Sequence, residues 1–114
     1  MTTLYGIKNC DTVKKAQRYL NGKNQAFNFH DFRVEGIDAS LVQSFIAELG
    51  LDKVINKRST TWKQLDDHSK ANLNEDTAVA LCVENPTLIK RPVLNHNEQL
   101  FIGFKASDYD TIFS

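Results

Sequence analysis

The chain opens on a short apolar run, Thr3-Leu4-Tyr5-Gly6-Ile7, which meets the polar pair Lys8-Asn9 and predicts a buried strand over residues 3–7. Beyond it Val13, Ala16 and Leu20 recur at helical spacing until Asn21-Gly22 supplies a stop. Ala26-Phe27-Asn28-Phe29-His30-Asp31-Phe32 then alternates apolar and polar positions, the pattern of a half-buried strand. Strand, short crossover helix and strand make a βαβ unit, with parallel pairing and a right-handed connection expected.

The middle of the chain changes to helical period. Asp38 is placed as an N-cap, Leu41, Val42, Phe45, Ile46 and Leu49 form one stripe, and Gly50 ends it. Thr60–Leu65 predicts a shorter helix. Asn74-Glu75-Asp76 opens a third that turns Ala78, Leu81 and Cys82 inward and stops at Asn85-Pro86. Val93-Leu94 and Leu100-Phe101-Ile102 flank the turn Asn95–Glu98 as a β-hairpin, and residues 105–113 form a last helix with Tyr109 and Ile112 facing in. The order βαβ, helices, ββα predicts an α/β, thioredoxin-like fold: a small mixed sheet flanked by helices. Residues 1–114 are expected to form a single domain with a helical insertion at about 36–86.

Composition changes this picture little. Apolar residues are 41% and charged residues 25%, with a formal net charge of zero, so no electrostatic footprint for nucleic acid or an anionic membrane is present. No apolar run approaches the length of a membrane span, and the N-terminus has no signal-peptide pattern. Cys10 and Cys82, far apart in such a chain, are expected as free thiols in a cytoplasmic protein.

Chemistry enters with Cys10. A cysteine between a strand and a helix start meets free backbone N–H groups and the positive end of the helix dipole, which favour thiolate. Lys8, Lys14 and Lys15 add to that effect and Asp11 opposes it. Val13 stands where a Cys-x-x-Cys motif needs its second thiol, and Cys82 reads as a core residue, so an external thiol such as glutathione is the natural resolving partner. In Lys90-Arg91-Pro92 an arginine precedes the one peptide bond that readily turns cis, and its planar fork suits an oxyanion or carboxylate. Arg58 and Lys105 are further anion candidates. His30, His68 and His96 lack metal-ligand spacing, and phosphate-loop and dinucleotide motifs are absent.

Together, Tyr5–Ala16, Phe29-His30-Asp31-Phe32-Arg33, Arg58–Trp62 and Ile89-Lys90-Arg91-Pro92 resemble the arsenate-reductase-like family of ArsC enzymes and Spx regulators, and within it the YffB-like branch. The resemblance runs the length of the chain. It implies a thioredoxin-like fold, Cys10 as nucleophile, Arg58 and Arg91 as anion-binding arginines, Pro92 as the cis-proline and Lys105 in place of a third arginine. It also implies no bound cofactor, glutathione as co-substrate and glutaredoxin as a partner.

The departures from arsenate reductases are local. Gly6-Ile7-Lys8 replaces the His-Asn-Pro that precedes the cysteine there, and Asp11-Thr12-Val13-Lys14 replaces Gly-Thr-Ser-Arg after it. An arsenate dianion would meet more repulsion and fewer donors here. The expectation is therefore a glutathione-dependent thiol reductase acting on a small anionic or disulfide substrate. The alternative is an Spx-like regulator that binds RNA polymerase with little catalysis.

Overall fold

The computed structural model describes residues 1–114. Its first elements are β1 (Thr2–Gly6), α1 (Asp11–Gly22) and β2 (Asn28–Asp31). Five helices follow: α2 (Ala39–Leu49), α3 (Leu51–Val54), α4 (Thr60–Gln64), α5 (Asp67–Ala71) and α6 (Glu75–Glu84), with a 3-10 turn at Pro86–Leu88. The chain closes with β3 (Val93–His96), β4 (Gln99–Ile102) and α7 (Ala106–Ile112). It divides into two units, Met1–Glu35 with Arg91–Ser114, and Gly36–Lys90.

The first unit holds a four-stranded sheet in the order β2-β1-β3-β4. β1 pairs with β2 in parallel, and the other two pairings are antiparallel. The register aligns Phe29, Leu4, Leu94 and Phe101 in one row across all four strands, hence on one face. Val13, Ala16 and Leu20 of α1 and Tyr109 of α7 close over that row and complete the core. Each fully buried Leu contributes about 1.5–3 kcal/mol relative to exposure. Gly6 permits the closest approach of helix to sheet, since a Cβ there would lie 2.7 Å from Val13 Cγ2.

The β3–β4 hairpin turns on Asn97 (φ 51°) and Glu98 (φ 70°). Two consecutive positive φ values match the twist of the flanking strands, and Asn is one of the few residues that tolerates that region. Asn95 Oδ1 accepts the Glu98 N–H at 3.1 Å and steadies the tip.

The second unit is helical and its caps are explicit. Asp38 accepts from the Leu41 N–H at 2.8 Å, and Ser59 Oγ from Trp62 at 3.1 Å. Asp66 Oδ1 accepts from Ser69 at 2.6 Å, and Asn74 and Thr77 exchange side-chain bonds in a capping box. Each cap is worth on the order of 1 kcal/mol. Gly50 ends α2 at φ 94°, a conformation that glycine adopts without a Cβ penalty. α2 packs on α6, bringing Val42, Phe45 and Ile46 to the same core as Ala78, Val79 and Cys82. The segment after α3, midway along the unit, is joined to the unit's last residues by the Ile55–Ile89 bridge, with Asn56 N–H on the Leu88 carbonyl at 2.9 Å and Lys90 N–H on the Val54 carbonyl at 2.8 Å.

A small mixed α/β architecture, its sheet flanked by helices, matches the fold class expected above. The differences are local. β2 is shorter than the alternating stretch because Ala26 and Phe27 lie outside it, and the hairpin turn is two residues rather than four. α3, α5 and the 3-10 turn are single turns, too short to leave a periodic signal.

Candidate active site

Beyond Gly6 the chain leaves the sheet. The Cys10 N–H donates to the Ile7 carbonyl at 3.1 Å, closing a turn with Lys8 and Asn9 at its tip. The Lys14 N–H then donates to the Cys10 carbonyl at 3.0 Å, which begins α1. Cys10 is therefore the N-cap, in extended geometry (φ −92°, ψ 125°), and its side chain makes no capping hydrogen bond of regular geometry. Ser, Thr, Asp or Asn would cap the helix better. A thiol at this position is a local choice against helix stability, the kind of exception found at functional sites.

The half-buried thiol sits between opposing influences. Burial is the largest single one and raises its pKa. The Val13 N–H, the Arg91 guanidinium through both hydrogen bonding and charge, and the Thr12 N–H all lower it, and together they prevail. Cys10 is thus held below the ordinary thiol value. The two N–H groups belong to the first turn of α1, where no carbonyl of the preceding turn can accept them.

Arg91 reaches this point through sheet topology. β1 and β3 are antiparallel with Tyr5 opposite Val93, so the residues preceding β3 meet those following β1. The Arg91–Pro92 peptide is cis, and Pro92 is buried. Its carbonyl accepts the Gly103 N–H at 2.8 Å, which brings the exit of β4 to the same end of the sheet. Lys105 follows two residues later, exposed, at the N-cap of α7. Cys10, Arg91, Pro92 and Lys105 therefore belong to one end of one sheet. Arg58 lies in the other unit, exposed on the segment before α4, with its backbone N–H on Asn56 Oδ1 at 3.1 Å.

The remaining candidates have other settings. Cys82 is fully buried in α6, and burial pushes its thiol up to about 12. His30 contacts the rings of Tyr5 and Phe32 and approaches Glu35 with Nδ1 to Oε2 at 3.2 Å, an ion pair when the imidazole is protonated. His96 ends β3, with Nδ1 2.7 Å from Thr2 Oγ1, and His68 neighbours Asn72 on α5. No group of three or more metal-ligating side chains occurs. No helix is long and apolar enough to cross a membrane.

Asp31 is the residue that sequence reading passes over. It is buried, and its carboxylate accepts the Lys8 N–H at 3.2 Å and the Arg33 N–H at 2.8 Å. The available signal was an acidic residue closing an apolar strand just before a turn, where solvent exposure is the default reading.

Comparison with known proteins adds the family context. The ArsC family profile matches residues 5–112. An uncharacterized protein of Haemophilus influenzae is 45% identical over 114 residues, covering 100% of both chains. The regulatory protein MgsR of Bacillus subtilis is 30% identical over 112 residues, 93% of this chain and 85% of its own. A global transcriptional regulator Spx of Streptococcus mutans is 26% identical over 95% of this chain and 80% of its own. Among solved structures, a YffB protein superposes with a TM-score of 0.95 at 39% identity over 100% of both chains. An arsenate reductase (ArsC) related protein from Brucella melitensis gives 0.80 at 35% identity, over 99% of this chain and 94% of its own.

Proposed function

Because the chain belongs to the ArsC family, we propose that it is a thiol-dependent reductase in which Cys10 is the nucleophile and glutathione the co-substrate. The observation that carries this reading is the Cys10 thiol at the N-cap of α1, lowered against its own burial by two helix N–H groups and Arg91. A thiolate is the nucleophilic form, and depressing its pKa populates it near neutral pH.

The reaction balances on one cysteine. The Cys10 thiolate attacks the glutathione sulfur of a mixed disulfide, R–S–SG. The S–S bond breaks, the R thiolate leaves and takes a proton from water, and Cys10–S–SG remains. A second glutathione thiolate attacks that glutathione sulfur, releasing the Cys10 thiolate and oxidised glutathione. The net change is R–S–SG plus GSH giving RSH plus GSSG: the R sulfur is reduced to a thiol, the incoming glutathione sulfur is oxidised to the disulfide level, and the glutathione already in the mixed disulfide keeps its oxidation state. Val13 occupies the position from which a helix thiol would intercept the adduct, so resolution falls to the outside thiol. Arg91 beside the sulfur offers a carboxylate of glutathione, or an oxyanion substrate, a planar fork of donors. Family resemblance assigns Arg58 and Lys105 further anion-binding roles.

Mass spectrometry after incubation with oxidised glutathione tests the proposal. One glutathione adduct, confined to Cys10, is expected; an adduct on Cys82, or none, sinks it. A second reading is a regulator that binds RNA polymerase, favoured by the similarity to Spx and MgsR. Co-purification with the polymerase α subunit, together with absence of thiol turnover, would select it.

A further inference from the structure

We propose that Asp31 is a positioning residue, holding the Cys10 loop in register with the first turn of α1; this rests on the reading of Cys10 as the nucleophile. The motif around it, Phe29-His30-Asp31-Phe32-Arg33, has no other assigned part in the chemistry.

The β1–β2 ladder ends at the Gly6–Asp31 pair, and the Phe32 N–H donates to the Gly6 carbonyl at 2.9 Å. From there the two chains diverge. The Lys8 N–H, two residues beyond Gly6, meets Asp31 Oδ2 at 3.2 Å, so the side chain extends the ladder past its backbone limit. Oδ1 takes the Arg33 N–H at 2.8 Å. The Asp31 carbonyl accepts the N–H groups of Val34 at 3.1 Å and Glu35 at 2.8 Å. One residue therefore ties the turn after β2 to the turn that carries Cys10.

The chemistry of the clamp is specific. An ionised carboxylate only accepts, which two backbone N–H donors require, whereas an amide would turn its NH₂ toward one of them. A buried carboxylate is costly unless it is hydrogen-bonded, and here each oxygen of Asp31 accepts one backbone N–H. Lys8 is a tip residue of the turn closed by the Cys10 N–H on Ile7, so releasing its N–H would loosen the loop that sets the sulfur against the Val13 and Thr12 N–H groups.

Charge and position predict opposite signs. A nearby carboxylate by itself disfavours a thiolate, so removing its charge alone would make Cys10 more acidic. Loss of position would make it less acidic.

The test compares wild type, Asp31→Ala and the milder Asp31→Asn by the pH profile of Cys10 alkylation with iodoacetamide, read by mass spectrometry alongside thermal melting. The expected result is an inflection displaced upward, with the rate at pH 6 about three- to tenfold lower in Asp31→Ala. Asp31→Asn, keeping one acceptor, should fall between. A lower melting temperature with an unmoved inflection makes Asp31 merely structural and overturns the proposal, as does an inflection displaced downward. If wild-type Cys10 titrates as a free thiol, the nucleophile reading fails instead. The clamp is then judged by amide exchange at Lys8 and Cys10: faster exchange in Asp31→Asn supports it, and unchanged exchange overturns it.

Discussion

The start of α1 and the last turn of α6 each hold one cysteine, and the same side chain is driven in opposite directions. Burial raises both thiols. At Cys82 burial acts alone, in a helix interior where the backbone N–H groups are already taken by i→i−4 bonds. At Cys10 burial is only partial, and two first-turn N–H groups and an arginine outweigh it. What sets the two thiols apart is both how deeply each is buried and which donors are free to meet it.

The largest effect that could break this contrast is labelling. With its thiol at about 12, Cys82 is only roughly one part in 10⁵ thiolate at pH 7. Cys10→Ser is therefore expected to reduce iodoacetamide incorporation into the native protein by about a hundredfold or more. Peptide mass spectrometry should find label on Cys82 only after denaturation. Native labelling of Cys82 at a rate comparable to Cys10 would collapse the distinction.

Next in size is a steric test of how the Cys10 helix is seated. A Cβ at residue 6 would lie 2.7 Å from Val13 Cγ2, so Gly6→Ala should cost about 1–3 kcal/mol, read as a lower denaturation midpoint. The double variant Gly6→Ala/Val13→Ala should lose less than the sum of the singles, since the second change removes the clashing methyls. Additive losses would show that Gly6 does not set the helix position.

Much of this fold was legible because caps and stripes coincide. Asp38, the Leu41–Leu49 stripe and Gly50 marked α2, and Asn74 with Ala78 and Cys82 marked α6. α3 and α5 were not legible, since four or five residues carry no period. At the site, Cys10 announced itself by sitting between an apolar run and a helical pattern. Its meeting with Arg91, 81 positions along the chain, was not local information. It depends on the antiparallel β1–β3 register, which no stretch of sequence encodes by itself. Asp31 escaped for a related reason: an acidic residue at a strand end carries no local mark of burial, and its bond to the Lys8 N–H joins positions 23 apart in the chain.

Arg91 gives a smaller but more specific effect. Arg91→Met removes both its hydrogen bond and its charge from the Cys10 sulfur, so the alkylation inflection should rise. The rate at pH 6 should fall about three- to tenfold. Arg91→Lys should recover part of the loss, as the charge returns without the planar fork. An unchanged profile in Arg91→Met would leave the helix N–H groups as the sole support of the thiolate.

The smallest effect is thermodynamic and sets the two thiols directly against each other. The folded Cys82 thiol at about 12 lies above an unfolded value of about 8.5. Its contribution is fully present below pH 8.5 and is lost as pH rises toward 12, amounting to about 0.8 kcal/mol by pH 9. Cys10 has the opposite sign: its folded value is depressed, so its contribution is present above the unfolded value and lost as pH falls through the folded one. Urea midpoints measured from pH 6 to 9.5 separate the two, because the buried Tyr109 hydroxyl, raised by burial from 10.0, enters only at higher pH. Cys82→Ala should flatten the alkaline decline, and Cys10→Ser the rise at lower pH. A cavity left by Cys82→Ala lowers every midpoint without altering that slope, so the slope reports the thiol itself. If the two variants exchanged their effects, the thiolate would belong to α6 and not to the start of α1.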